Sequence, residues 1–176
     1  MTRVWDRPVR ALHWALAASV VAGWVTTEAF GRWHQPVGYA ALAIVVARLT
    51  WSGFGNRYAR FNSFLRSPRA TWRYASLALR GHETRHVGHN PLGACMVVAL
   101  IVCVAALALT GWLYTTDRFW GSETVERFHL GFAWAITGLA VLHVAGVVFA
   151  SVRHRENLVA SMVHGHKRDA SDSDID

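Results

Sequence analysis

The stretch FHLGFAWAITGLAVLHVAGVVFASV, residues 128–152, decides how the rest of the chain is read. It is long enough to cross a bilayer as a helix, and its only ionisable side chains are His129 and His143. They are fourteen residues apart, close to four helical turns, so both imidazoles lie on one face about 21 Å apart along the axis. In a hydrocarbon layer about 30 Å thick, one ring then falls near each membrane surface. Two neutral imidazoles at those depths suit two stacked metal centres better than a single catalytic site.

Three more apolar runs precede it and predict crossings at about residues 11–27, 35–54 and 91–114. His13 stands near the start of the first and His34 at the start of the second, on opposite membrane surfaces. The fourth crossing runs in the same direction as the second, so His129 is level with His34 and His143 with His13. Each leaflet receives two imidazoles from different helices. An iron porphyrin takes axial ligands on its two faces, which a His from each of two facing helices supplies, whereas zinc wants four ligands at one point. The expectation is an all-α, integral membrane four-helix bundle with two haem b groups stacked across the bilayer. Iron ligation would fall to His13, His34, His129 and His143.

Composition supports a membrane protein: 53% of the 176 residues are hydrophobic and nine are Trp. Residues 1–168 read as one four-helix cytochrome domain, and 169–176 as an acidic, disordered tail that alternates Asp with Ser and has little to bury. Residues 1–27 read as a membrane anchor rather than a cleaved leader, because His13-Trp14 sits inside the apolar run and no small-residue cleavage site follows. Arg48, inside the second crossing, is long enough to snorkel to the nearby surface.

Charge sets the orientation. Between crossings two and three lie Arg57, Arg60, Arg66, Arg69, Arg73, Arg80 and Arg85 against Glu83, whereas Asp117, Glu123 and Glu126 face Arg118 and Arg127 between three and four. The basic connection belongs inside, and the basic residues of both ends place both termini on the cytoplasmic side of a multi-pass membrane protein. His34 and His129 then lie toward the outer face. Topology and anionic membrane lipid account for the formal charge of +7, with no nucleic-acid partner.

Several other residues admit two readings. Arg7, Arg10 and Arg48 near the inner centre, and Arg32 and Arg127 near the outer, are suited to pairing with haem propionates or to serving as interfacial charges. Gly38, Gly131 and Gly138 suit close helix packing or room for a flat macrocycle. His82, His86 and His89 lack any zinc-like arrangement of Cys or carboxylate and read as surface residues, with His89 placed to approach propionates or a quinone. Cys95 and Cys103 are eight residues apart on one helix, about 12 Å of rise, too far to bridge. Trp5, Trp33, Trp112 and Trp120 read as interfacial anchors. Asn90-Pro91 reads as a helix start, and residues 71–79 as an amphipathic stretch.

The opening Val4-Trp5-Asp6-Arg7-Pro8-Val9-Arg10-Ala11-Leu12-His13-Trp14 is followed by His89-Asn90-Pro91-Leu92-Gly93, by Leu142-His143-Val144-Ala145-Gly146 and by His154-Arg155-Glu156-Asn157-Leu158. In that order, and with the four histidines, these segments resemble the bacterial cytochrome b561 family, which includes the cytochrome b subunits of nickel-iron hydrogenases. The resemblance implies bis-histidine ligation of two b haems, and electron transfer between the quinone pool and a redox partner in a respiratory chain. Carried over, His13 and His143 hold the inner haem, and His34 and His129 the outer.

This chain is more compact than the hydrogenase subunits, with a short connection between crossings three and four. A hydrogenase-like enzyme and a periplasmic or membrane-bound c-type cytochrome both stay open as partner, and a homodimer is allowed. The expected role is that of an electron-transfer protein or subunit. The alternative is a superoxide oxidase coupled to quinone reduction, which calls for a basic outer surface that the loop from Thr115 to Arg127 lacks. Its Asp117, Glu123 and Glu126 offer a docking face to a basic partner instead.

Overall fold

The computed structural model describes residues 1–28, 31–171, 174 and 175. Along these run strand β1 (Thr2–Arg3), helices α1 (Arg7–Glu28) and α2 (Gly31–Phe54), a 3-10 turn (Arg57–Ala59), then α3 (Phe61–Phe64) and α4 (Pro68–Leu79). Helices α5 (Pro91–Tyr114), α6 (Glu123–Arg153) and α7 (Leu158–His164) follow, and strand β2 (His166–Lys167) closes the order. Among the described residues the fold is all-α apart from this strand pair and an isolated bridge between His86 and Ile175.

Helices α1, α2, α5 and α6 are long and apolar enough to cross a membrane, over Arg7–Thr27, Gly31–Phe54, Pro91–Tyr114 and Glu123–Arg153. They overlap the four apolar runs of the sequence and begin earlier in three cases. Hydropathy marks only the apolar part of a helix, whereas polar first turns belong to the helix too. Asp6 accepts from Val9 N at 2.9 Å and so caps α1 ahead of Pro8. Glu123 and Glu126 fill the first turn of α6, where the helix dipole favours acids. Asn90 accepts from Gly93 N at 2.7 Å with Pro91 as first helical residue, as the sequence predicts. Ser67 caps α4 in the same way, which extends the amphipathic stretch back to Pro68.

The chain divides into two compact units. The helical unit comprises Ala11–Thr50 and Ala99–Val141. All four long helices contribute to its core: Leu16 and Val20 from α1, Ala41 and Val45 from α2, Cys103 and Val104 from α5, and Ile136 and Leu139 from α6. Large apolar side chains such as Val21, Val46, Val102 and Val141 stay exposed on it, as expected of helices solvated by lipid. Arg48 is only 8% exposed, so it does not snorkel as the sequence suggests. Its place beside the buried Val45, on the core side of α2, turns it inward.

The terminal unit comprises Met1–Arg10, Trp51–Val98 and Leu142–Asp176. Val4, Trp5, Val9, Ala59 and Val87 form its core. Trp5 is therefore a core residue rather than an interfacial anchor: it is 5% exposed, and its indole N–H donates to Ser161 Oγ at 3.4 Å. Asp6 ties this core together, accepting from Trp51 Nε1 at 3.0 Å and from Asn56 N at 3.3 Å. Strands β1 and β2 pair antiparallel, Thr2 with Lys167 and Arg3 with His166, so the two ends of the chain lie together.

Below them runs a buried ionic network. Arg85 holds both oxygens of Glu156, at 3.2 and 2.9 Å, and donates to Asp174 Oδ2 at 2.6 Å. Burial alone would raise the Glu156 pKa, but the Arg85 guanidinium and the Arg168 N–H outweigh it and hold the carboxyl below its ordinary range. Where the sequence suggests a disordered tail, Asp174 is thus paired and Ile175 N donates to Arg85 O at 2.9 Å. Arg85 supplies the counter-charge that a composition-based reading cannot see. Residues 172, 173 and 176 of that tail lie outside the described residues.

Candidate functional site

The helical unit brings His34, in the first turn of α2, against His129, in the second turn of α6. Their ring centroids are 6.0 Å apart and their planes cross at 75°. Each ring is held by its Nδ1. His34 Nδ1 lies 3.0 Å from the carbonyl oxygen of Gly23 and 3.3 Å from Thr26 Oγ1. A carbonyl only accepts, so Nδ1 carries the proton. Thr110 donates its own hydrogen to Ala106 O at 2.8 Å, which leaves Oγ1 to accept from His129 Nδ1 at 3.0 Å. In both rings Nε2 is therefore the lone-pair nitrogen, the atom a metal would take, and the opposite nitrogen has the hydrogen bond that fixes ring and tautomer.

The spacing suits an iron between the rings. A metal–nitrogen bond of about 2 Å, plus about 1 Å from nitrogen to ring centre, puts two opposed imidazole centroids roughly 6 Å apart. Room is provided at Gly111, where an added Cβ would come within 3.3 Å of His129 Cε1. Gly38, Gly131 and Gly138 behave differently: a Cβ there meets no heavy atom within 4 Å. No neighbouring helix requires glycine at these three positions, and Gly131 and Gly138 are exposed on the side of α6 opposite His129.

Gly23, Thr26, Thr110 and Gly111 escape sequence reasoning, because their role appears only when α1 meets α2 and α5 meets α6. One signal was present: Thr110 is the sole Ser or Thr in α5. A hydroxyl in an otherwise apolar span asks for a partner.

The second expected pair is divided. His13 belongs to the helical unit, with its ring 5.3 Å from that of Trp14, and His143 belongs to the terminal unit. Among the arginines, Arg127 pairs with Glu123 at 3.2 Å on an exposed helix face, both about four-fifths exposed, which fits an interfacial charge. Arg32 stands 5.7 Å from the Trp33 ring centre. Arg7 is exposed. Arg10 is different: it donates to Val163 O while its Nε is buried without a hydrogen-bond partner. Arg10 and the buried Arg48 are the two that suit an added carboxylate.

Among the remaining histidines, His164 and His166 stack with ring centres 5.9 Å apart. His86 packs edge-on to Tyr74 at 5.3 Å, and His89 lies between Trp5 at 4.7 Å and Phe64 at 4.5 Å. Among the described residues no three metal-donor side chains converge. Cys95 and Cys103 are both free thiols.

A membrane bundle of four helices, with opposed histidines from two of them held through their outer nitrogens, defines a class of haem-binding electron carriers. The chain belongs to the prokaryotic cytochrome b561 family, whose profile matches residues 4–165. It is accordingly a multi-pass bacterial membrane cytochrome of b type that takes part in electron transfer. It is similar to proteins described as probable Ni/Fe-hydrogenase B-type cytochrome subunits. That of Rhodobacter capsulatus is 25% identical, with 93% of this chain and 80% of the relative covered. Those of Azotobacter vinelandii and Cupriavidus necator are 26% and 27% identical, covering 92% and 94% of this chain and 86% of each relative. The Rhodobacter alignment runs over 210 positions against 176 residues here, so the relative carries insertions and this chain is the more compact. No solved structure matches the chain.

Proposed function

We propose that this chain is a di-haem cytochrome b that carries electrons between the quinone pool and a redox partner outside the membrane. The opposed His34 and His129, 6.0 Å apart with Nδ1 of each ring occupied, are the observation that carries the reading. Haem b, which His34 and His129 would hold, would supply one-electron transfer.

The chain's own residues do the positioning. Gly23 and Thr26 hold His34, Thr110 holds His129, and Gly111 leaves that ring its place. His13 and His143 form the second ligand pair, on the strength of their matched depth. Arg10, through its buried Nε, and the buried Arg48 pair with propionates, each able to grip a carboxylate. Both termini lie in the cytoplasm, as the seven arginines of residues 55–89 indicate. Lipid surrounds the exposed apolar faces.

The partner is a hydrogenase-like enzyme, by the names its relatives carry, and a c-type cytochrome is the alternative. Asp117, Glu123 and Glu126, all exposed, offer it an acidic docking face. Pyridine haemochrome analysis against protein concentration tests the cofactor count. Two haem b per chain is the expected result, and one or none overturns the di-haem assignment.

A further inference from the structure

We propose that a cleft in the terminal unit, at the end of α6, is a binding site for a phosphate-type anion, with a membrane phospholipid headgroup as its source. The cleft has a volume of about 530 Å³, and Arg85, Arg153, Arg155, Arg168, Glu83 and Asp174 line it. Four guanidinium groups thus face it against two carboxylates. The carboxylates are already matched, Asp174 to Arg85 at 2.6 Å and Glu83 to Arg153 at 3.1 Å. The second oxygen of Glu83 is buried, and the Glu83 side chain is only 1% exposed. Arg155 and Arg168 remain: both are exposed, and their guanidinium groups make no hydrogen bond or ion pair among the described residues.

The fold holds these two cations together. They are thirteen residues apart in sequence, and the buried Arg85–Glu156 pair joins their backbones. Glu156, next to Arg155, accepts from Arg168 N at 2.7 Å, and Arg85 donates to Arg168 O at 2.9 Å.

A second observation is independent of charge. Arg155 has φ of 50°, the one non-glycine residue with positive φ among those described. It closes α6, with Glu156 N donating to Ser151 O at 3.0 Å and Arg155 N to Val152 O at 3.3 Å, an arrangement that ordinarily takes glycine. An arginine kept where glycine would relieve strain points to a use for its side chain. The place supplies the ligand class. Arg153 is the last residue of an apolar span, so the cleft begins where hydrocarbon gives way to headgroups, and arginine binds phosphate oxygens in two-pronged fashion.

The test uses the full-length, haem-loaded protein, the Arg155→Gly/Arg168→Gln variant, and an Arg66→Gln/Arg69→Gln control that removes equal charge elsewhere. Glycine suits the backbone at 155, so the double variant keeps its helix end. The single Arg168→Gln variant, outside every helix, repeats the test if the double one does not fold. Native mass spectrometry and thermal melts are recorded in nanodiscs of phosphatidylcholine alone and with phosphatidylglycerol, and in detergent with inorganic phosphate. Removing a two-pronged arginine–phosphate interaction should make retention of phosphatidylglycerol about tenfold weaker in the double variant, with the control like the natural chain. Protection by inorganic phosphate equal to that by the lipid would keep the anion chemistry and overturn the lipid source. Equal retention in the double variant, or equal loss in the control, overturns the site.

Discussion

As the proposed ligand pair, His34 and His129 each have one ring nitrogen occupied and one available. Thr110 is the more informative partner, since its hydroxyl is already committed to Ala106 and can only accept from the ring. Thr110→Val should leave the fold intact yet weaken haem retention about 10–100-fold, the usual effect of removing a hydrogen bond behind a ligand. Competition with apomyoglobin measures this. Ligand replacement should be more severe and selective. His34→Ala or His129→Ala should remove one haem and spare much of the other, and His13→Ala or His143→Ala should do the reverse. Haem content and the split of the reduced absorption band read the outcome; loss of a haem in His89→Ala but not in His34→Ala would defeat the depth pairing. At this scale the proposed ligands stand out in the sequence, because an ionisable side chain inside an apolar span is unusual. Their supports are not, because glycine and threonine are ordinary there.

Helices begin where short-range hydrogen bonds allow, and that is why their ends were partly readable. Asn90 caps α5 through a bond three residues long, so Asn90-Pro91 announces the start without tertiary knowledge. Asn90→Ala should cost about 1 kcal/mol of stability without changing haem content, measured by thermal or denaturant unfolding of the loaded protein. A larger loss accompanied by loss of haem would show that Asn90 does more than cap. Asp6 plays the same part for α1, but its other oxygen bonds Trp51 and Asn56, and that second role has no local signature. Arg48 makes the complementary point: helical period places it on one face, and only the packing of α2 decides whether that face meets lipid or core.

At the scale of the molecule, the terminal unit buries a charge whose cost can be measured. Lys167 is 6% exposed; it donates to Val87 O at 3.0 Å and lies 5.7 Å from the Trp5 ring centre. Burial, with Arg85 adding to it against the opposing pull of Glu156, lowers its pKa from 10.5 to about 8. A lysine depressed in this way binds a proton more readily unfolded than folded. Stability should therefore rise as pH climbs from about 8 toward 10.5, by an amount on the order of 3 kcal/mol at most. Lys167→Met should flatten that rise and raise the melting temperature at pH 7; unfolding followed by Trp fluorescence at pH 7 and 9.5 checks both. A melting temperature unchanged with pH in the natural chain would contradict the burial of its charge.

Hydropathy and helical period act over a few turns, so the sequence by itself determines the four spans, the place of each histidine along its span and the family pattern. Contacts between distant residues decide the rest. Trp5 becomes core rather than anchor because residues near 59, 87 and 161 close over it. Asp174 is docked because Arg85, far from it along the chain, is turned toward it and buried. The opposition of His34 and His129, as distinct from their equal depth, likewise comes only from the packing of α2 and α6, since a depth match leaves the rotation of each helix undetermined.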